Sequence, residues 1–101
     1  MKLLVITCLK EYLSDVAEIF KQGNIEVFST SDIIGHRNGA SHNILEDWFV
    51  SGGEKAESII IFTFTSEENV AIGLKLVKQY NETTKSDFPI RAFIMPVDQS
   101  V

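Results

Sequence analysis

One segment, Ser58-Ile59-Ile60-Ile61-Phe62-Thr63-Phe64-Thr65, carries most of the information about the architecture of this chain. It is short, rich in β-branched and aromatic residues, and apolar at successive positions instead of alternate ones. Such a run is typical of a strand that lies in the middle of a sheet and is covered on both faces. The segment Leu3-Leu4-Val5-Ile6-Thr7-Cys8-Leu9 has the same character, so we predict two central strands.

A helical pattern follows each of these strands. Ser14 is placed to cap the first helix, which an apolar stripe continues and Gly23 ends. Thr65-Ser66-Glu67-Glu68 has the spacing of a capping box, and the apolar positions Val70, Leu74 and Val77 carry the second helix to about Tyr80. Two further strands are predicted at residues 25–33 and 90–95.

The element order is therefore β-α-β, a long loop over residues 35–57, and β-α-β. This order predicts one α+β domain over residues 1–101, a ferredoxin-like βαββαβ sandwich. In that sandwich both helices cover one face of a four-stranded antiparallel sheet whose first and third strands are central. Two helices leave the second face bare, yet both central strands are apolar on both faces, with Leu3, Val5, Ile59 and Ile61 grouped on one face. The bare apolar face predicts self-association.

Composition excludes several classes of function. The formal charge is −5, and the nine Lys and Arg residues form no patch, so we expect no nucleic-acid partner. A single cysteine leaves no intrachain disulfide and no cysteine metal cage. The apolar N-terminal stretch is too short for a membrane span or a signal peptide, and we therefore expect a cytoplasmic protein with no membrane insertion.

Several segments resemble the PII signalling family of nitrogen regulation. The likeness rests on the Met1-Lys2 start before an apolar strand, on Asp32-Ile33-Ile34-Gly35, and on Phe93-Ile94-Met95-Pro96-Val97-Asp98. The resemblance implies a ferredoxin-like homotrimer with small-molecule sites in the clefts between subunits. It also implies a flexible T-loop after the second strand, which contacts a partner such as a membrane transporter or a metabolic enzyme. Classical members bind adenine nucleotides and 2-oxoglutarate.

Residue by residue, the resemblance assigns ligand contacts to Ser29, Gly35 and Arg91, and the polar part of the loop adds Arg37 and Gly39 as anion contacts. We expect a small anionic effector, either a nucleotide or a carboxylate. Phe88-Pro89-Ile90 stands where the family has a glycine-rich phosphate cradle, and Pro89 has no N–H to donate. We therefore expect ATP to bind weakly or not at all.

The second part of the loop carries the apolar residues Ile44, Leu45, Trp48 and Phe49. They form either a partner-contact surface or a short helix that packs back on the domain. His36 and His42 are the candidate metal ligands, and an alternative resemblance to CutA divalent-cation tolerance trimers makes a divalent metal the competing effector. A structural oligomerisation module is a third possibility. No nucleophile or base motif accompanies the acidic residues, so we predict that the protein is not an enzyme.

Overall fold

The computed structural model describes residues 1–35 and 57–101. Strand β1 covers Lys2–Leu9, and a single 3₁₀ turn, Lys10–Tyr12, leads into helix α1, Leu13–Gln22. Strand β2 covers Ser29–Ile34 and strand β3 covers Glu57–Thr65. Helix α2 covers Glu67–Thr84, and strand β4, Arg91–Pro96, follows it.

The four strands form one antiparallel sheet in the order β2-β3-β1-β4. The first and third strands are central, as the sequence predicts, and β2 and β4 are the two edges. Both helices cover one face, because the core joins β1 and β3 to residues of α1 and α2. The predicted fold class, an α+β ferredoxin-like sandwich, is confirmed.

The core lies between the sheet and the helices. Alternate residues of the central strands point into the core, and each helix contributes apolar residues from one side. Its members include Leu4, Ile6, Cys8, Val16, Phe20, Ile59, Ile61, Val70 and Val77, all buried.

The predicted grouping of residues on the two faces is wrong for one strand. Ile6 lies opposite Ile61, so Leu3 and Val5 lie opposite Phe64 and Phe62 on the bare face and not beside Ile59 and Ile61. The register causes this difference, since a shift by one residue exchanges the two faces of a strand. Both faces of the central strands still carry apolar residues.

The helix boundaries differ from the predicted ones by a few residues. Helix α1 begins at Leu13, and Ser14 lies inside it instead of capping it. Helix α2 is capped by Ser66, whose hydroxyl accepts a hydrogen bond from the Asn69 N–H at 3.2 Å. It continues to Thr84, four residues beyond the predicted end.

Strand β2 starts later than predicted because Ile25 belongs to the turn that follows α1. The Ile25 N–H donates to the Phe20 carbonyl at 2.8 Å, and its side chain is buried in the core. Asn24 takes the left-handed conformation that this tight turn needs, with φ 62°. Within the described residues, none of the helices has the length and apolar character needed to cross a membrane.

Candidate functional site

The sheet face that the helices leave bare, here called the open face, consists of two chemically different halves. The half near the Thr65 end of β3 is apolar, and its residues are Leu3, Val5, Phe62, Phe64, Phe93 and Met95, which the register places side by side. Phe64 is 55% exposed and Met95 is 41% exposed, and the rings of Phe62 and Phe64 meet edge to face. Exposed aromatic area of this kind marks a contact surface.

The other half of the open face carries polar residues. The register places Ser31, Ile60, Thr7 and Arg91 in one row across all four strands. Ser58 is in the next row, and its hydroxyl is buried without a hydrogen-bond partner among the described residues. An orphan hydroxyl, one without a partner, costs about 1–3 kcal/mol when buried, so a polar group that reaches Ser58 would stabilise it.

Gly35 and Glu57, the described residues that flank positions 36–56, lie at this polar end. Ile34 and Glu57 are opposite each other in the register, and Gly35 is buried beside them. A cavity of about 200 Å³ lies here, lined by Lys10, Asp32, Ile33, Ile34, Glu57 and Ser58. The Lys10 ammonium is 3.1 Å from the Asp32 carboxylate, and both side chains are more than half exposed. Such an exposed pair adds little stability and can exchange for another partner.

The predicted ligand residues within the described part do not come together in one chain. Ser29 begins the edge strand β2, whereas Arg91 begins the opposite edge strand β4. Three strand spacings separate these edges, which amounts to roughly 14 Å. Arg37, Gly39, His36 and His42 lie outside the described residues, as do Ile44, Leu45, Trp48 and Phe49.

The turn between α2 and β4 contains Phe88-Pro89-Ile90, the segment that the resemblance aligns with the glycine-rich phosphate cradle of PII proteins. The Phe88 N–H donates to the Ser86 hydroxyl at 3.0 Å, and the Ile90 N–H donates to Asn81 Oδ1 at 2.9 Å. Pro89 has no N–H. The backbone donors at positions 88 to 90, where a phosphate would be cradled, are therefore absent or already bonded.

Asn81 is the residue of this region that sequence reasoning missed. Its amide nitrogen donates to the Ile90 carbonyl at 2.9 Å while its oxygen accepts from the Ile90 N–H, so one carboxamide satisfies both backbone groups. Beside it, a cavity of about 440 Å³ runs between α2 and β4. Leu74, Val77, Lys78 and Glu82 line it from the helix, and Ile90 to Phe93 line it from the strand.

Cys8 is excluded as a metal ligand by its surroundings. It is fully buried in the core, and burial raises the pKa of its thiol to about 11. Metals bind the thiolate, which this environment disfavours. Over residues 1–35 and 57–101, no three His, Cys, Asp or Glu side chains gather closely enough to hold a metal ion.

Two tyrosines, Tyr12 and Tyr80, connect the outer surfaces of the helices. The Tyr80 hydroxyl donates to Asp15 Oδ2 at 2.6 Å, and its ring meets the Tyr12 ring edge to face. The Tyr12 hydroxyl bonds the Ser86 hydroxyl at 2.7 Å. Burial and the hydrogen bond to Asp15 raise the pKa of Tyr80 to about 12. This cluster joins α1, α2 and the turn after α2, which is a structural role.

Comparison with known proteins supports the fold. No family model matches the chain. No curated protein matches it either. Among solved structures, a PII-like signalling protein from Thermus thermophilus is similar, with a TM-score of 0.59 and 19% identity. The match covers 95% of this chain and 85% of that chain. The fold is therefore that of PII-like proteins.

Proposed function

We propose that this protein is a PII-like regulator, a self-associating sensor that binds a small anion and controls a partner protein without catalysing a reaction. The association surface is the apolar half of the open face, and the assembly is a homotrimer. The segment 36–56 contacts the partner, which is a transporter or a metabolic enzyme. The observation that carries the proposal is the division of the open face into an apolar half and a polar half. Arg91 lies in the polar half, near the strand ends that flank residues 36–56.

The chemistry of the polar half favours an anionic ligand. Arg91 is exposed at the start of β4 and offers a fixed fork of donors that suits carboxylate or phosphate. The hydroxyls of Ser31 and Thr7 share its row, and the orphan Ser58 hydroxyl adds a further polar group. The bonded N–H groups of the turn before β4 favour a carboxylate or another compact anion over a triphosphate.

The test is a thermal-shift screen followed by calorimetry. The probes are 2-oxoglutarate, bicarbonate, ATP, ADP, cyclic dinucleotides and divalent metals. We expect a compact anion to raise the unfolding midpoint, because a ligand that binds only the folded state stabilises it. Arg91→Gln should abolish this shift, whereas Lys75→Gln, an equal charge change on an exposed part of α2, should preserve it.

Two outcomes would contradict the proposal. One is a panel in which no anion shifts the midpoint, and the other is an Arg91→Gln variant that keeps the affinity of the wild type. A response to copper or zinc alone would support the CutA-like alternative instead. Trp48 is the single tryptophan, so its fluorescence reports whether the segment 36–56 responds to the same probe.

A further inference from the structure

The tyrosine contacts on the helices end at the turn that precedes Arg91. The Tyr12 hydroxyl bonds the Ser86 hydroxyl at 2.7 Å, and the same Ser86 oxygen accepts a hydrogen bond from the Phe88 N–H at 3.0 Å. A serine hydroxyl has two lone pairs and one proton, so it can make both bonds at once. Because the oxygen has three staggered positions, the contact with Tyr12 favours the one that also reaches the Phe88 N–H.

Tyr12 is itself held in place by other parts of the chain. Its ring is partly buried against the core and meets the Tyr80 ring edge to face, with the ring centroids 6.2 Å apart. The Tyr80 hydroxyl is fixed in turn by Asp15 at 2.6 Å. A series of contacts therefore runs from α1 through α2 to the turn, and the Tyr12 hydroxyl is the group that touches the turn.

The two bonded N–H groups of this turn are held in different ways. Asn81 holds Ile90 by two hydrogen bonds, one to its N–H and one to its C=O, and both are 2.9 Å long. The Phe88 N–H has a bond to Ser86, two residues earlier, and serine makes such local bonds weakly. The Phe88 N–H is therefore the donor that a ligand would release more easily.

The charge around the turn would attract an anion to a released Phe88 N–H. Lys85 and Arg91 are exposed at its two ends, and Asp87 is the one acid between them. Residues 85–91 therefore carry two cations and one acid, a positive balance in a chain whose net charge is −5. Backbone N–H groups that are free in a turn bind phosphate oxygens. The existing bond of the Phe88 N–H withdraws such a donor.

We infer that Tyr12 is a positioning residue for ligand selection: its hydroxyl holds Ser86 on the Phe88 N–H and thereby disfavours phosphate at the site of Arg91. This inference rests on the proposed function, because it concerns the same anion site. A carboxylate has two oxygens, which the planar guanidinium of Arg91 can bind without a backbone donor. A phosphate group has further oxygens, and these would gain from the donor that Tyr12 and Ser86 keep occupied.

The test compares inorganic phosphate with 2-oxoglutarate as calorimetric probes of the full chain. Tyr12→Phe keeps the ring and removes the hydroxyl, and Ser86→Ala removes the acceptor of the Phe88 N–H. We expect both variants to bind phosphate roughly two- to tenfold more tightly than the wild type, because one competing hydrogen bond is weakened or lost. Their affinity for 2-oxoglutarate should stay at the wild-type value. A general loosening of the fold would weaken the binding of both probes.

Two control variants separate ligand selection from stability. Ser86→Thr keeps a hydroxyl at this position and should retain the weak phosphate binding of the wild type. Tyr80→Phe removes the bond to Asp15 but leaves the Tyr12 hydroxyl on Ser86. It should lower the unfolding midpoint without changing the ratio of the two affinities. A Tyr80→Phe variant that gains phosphate affinity as Tyr12→Phe does would show that the effect comes from stability, and would overturn the inference.

Amide hydrogen exchange tests the contact without any ligand. We expect the Phe88 amide to exchange faster in Tyr12→Phe than in the wild type, while the Ile90 amide, held by Asn81, keeps its rate. An unchanged rate at Phe88 would overturn the inference.

The remaining outcomes separate this inference from the proposed function. A folded Tyr12→Phe or Ser86→Ala variant that gains no phosphate affinity would overturn the inference, because Tyr12 acts only through Ser86. If Tyr12→Phe does not fold, the Ser86→Ala result decides by the same comparison. A wild type that binds none of the anions, while the variants gain phosphate binding and the Phe88 amide exchanges faster, would overturn the proposed function and support the inference.

Discussion

At the scale of single residues, Asn81 shows how one helix side chain can satisfy backbone groups that would otherwise need a neighbouring strand. Its carboxamide presents a donor and an acceptor at the spacing of a neighbouring peptide group, and Ile90 uses both at 2.9 Å. Two buried backbone groups at the start of β4 are thereby satisfied without a further strand. No sequence pattern indicates this contact, because the partner is a backbone and any side chain could occupy position 90.

Tyr80 gives a prediction about pH. In the folded protein the pKa of Tyr80 is raised from 10.0 to about 12, so between these values the folded state holds a proton that the unfolded state has lost. The stability that comes from this tyrosine is therefore complete below pH 10 and declines as the pH rises toward 12. We expect Tyr80→Phe to show a smaller loss of unfolding free energy over this range, measured by urea unfolding at several pH values.

Cys8, whose pKa is raised to about 11, titrates in the same range, but it is present in both proteins and cancels in the comparison. Tyr12→Phe is the matched control, because it removes the bond to Ser86 and leaves the Tyr80–Asp15 bond in place. If the unfolding free energies of the wild type and Tyr80→Phe change with pH in parallel, the Tyr80–Asp15 hydrogen bond does not shift the pKa of Tyr80.

At the scale of elements, the turn between α2 and β4 predicts weak ATP binding. The Phe88 and Ile90 N–H groups are bonded within the protein, and a triphosphate would have to displace those bonds at a cost of about 0.5–1.5 kcal/mol each. We expect no calorimetric signal with ATP at micromolar protein concentration. Ser86→Gly should free the Phe88 N–H and raise the affinity slightly. Tight binding of ATP by the wild type would mean that side chains such as Arg91 compensate for the occupied backbone.

Most elements are predictable from the sequence because each has a strong local pattern. The apolar run at 58–65 and the repeat of Val70 and Val77 define β3 and α2 within a few residues. The end of α1 is harder to predict, because Ile25 looks like a strand residue but is held by the Phe20 carbonyl. The register of β1 against β3 is harder still, since both faces of each strand are apolar and either pairing buries similar side chains.

At the scale of the whole molecule, two neighbouring groups of β3 residues have opposite roles. Ile61 is fully buried beneath the helices, whereas Phe64 is 55% exposed on the open face. An aspartate at position 61 would bury an unpaired charge in the core, so Ile61→Asp should unfold the domain. An aspartate at position 64 meets water in the single chain, so Phe64→Asp should give a folded monomer.

Circular dichroism and light scattering distinguish these two results. Glu68→Gln at the exposed start of α2 is a control that should leave both the fold and the mass unchanged. A Phe64→Asp variant that remains assembled would show that the apolar half of the open face does not hold the copies together.

The candidate site is less predictable than the fold, since its parts come from distant positions in the chain. Arg91 is identifiable from its place at the start of the last strand, and the structure places it in a row with Thr7 and Ser31. Ser29 is identifiable by the same reasoning, but the strand order puts it on the opposite edge of the sheet. Sequence position alone cannot show that these two residues lie on opposite edges of the sheet.

Because the single thiol is buried, its rate of chemical labelling can report how often the core opens. Cys8 is the last residue but one of the central strand β1, and its pKa of about 11 keeps it in the unreactive thiol form. A thiol reagent can reach it only when β1 separates from the helices, so the rate of labelling measures how often the core opens. Because the chain has one cysteine, that rate needs no engineered probe, and its change with a ligand or with concentration would give the free energy that each adds to the closed state.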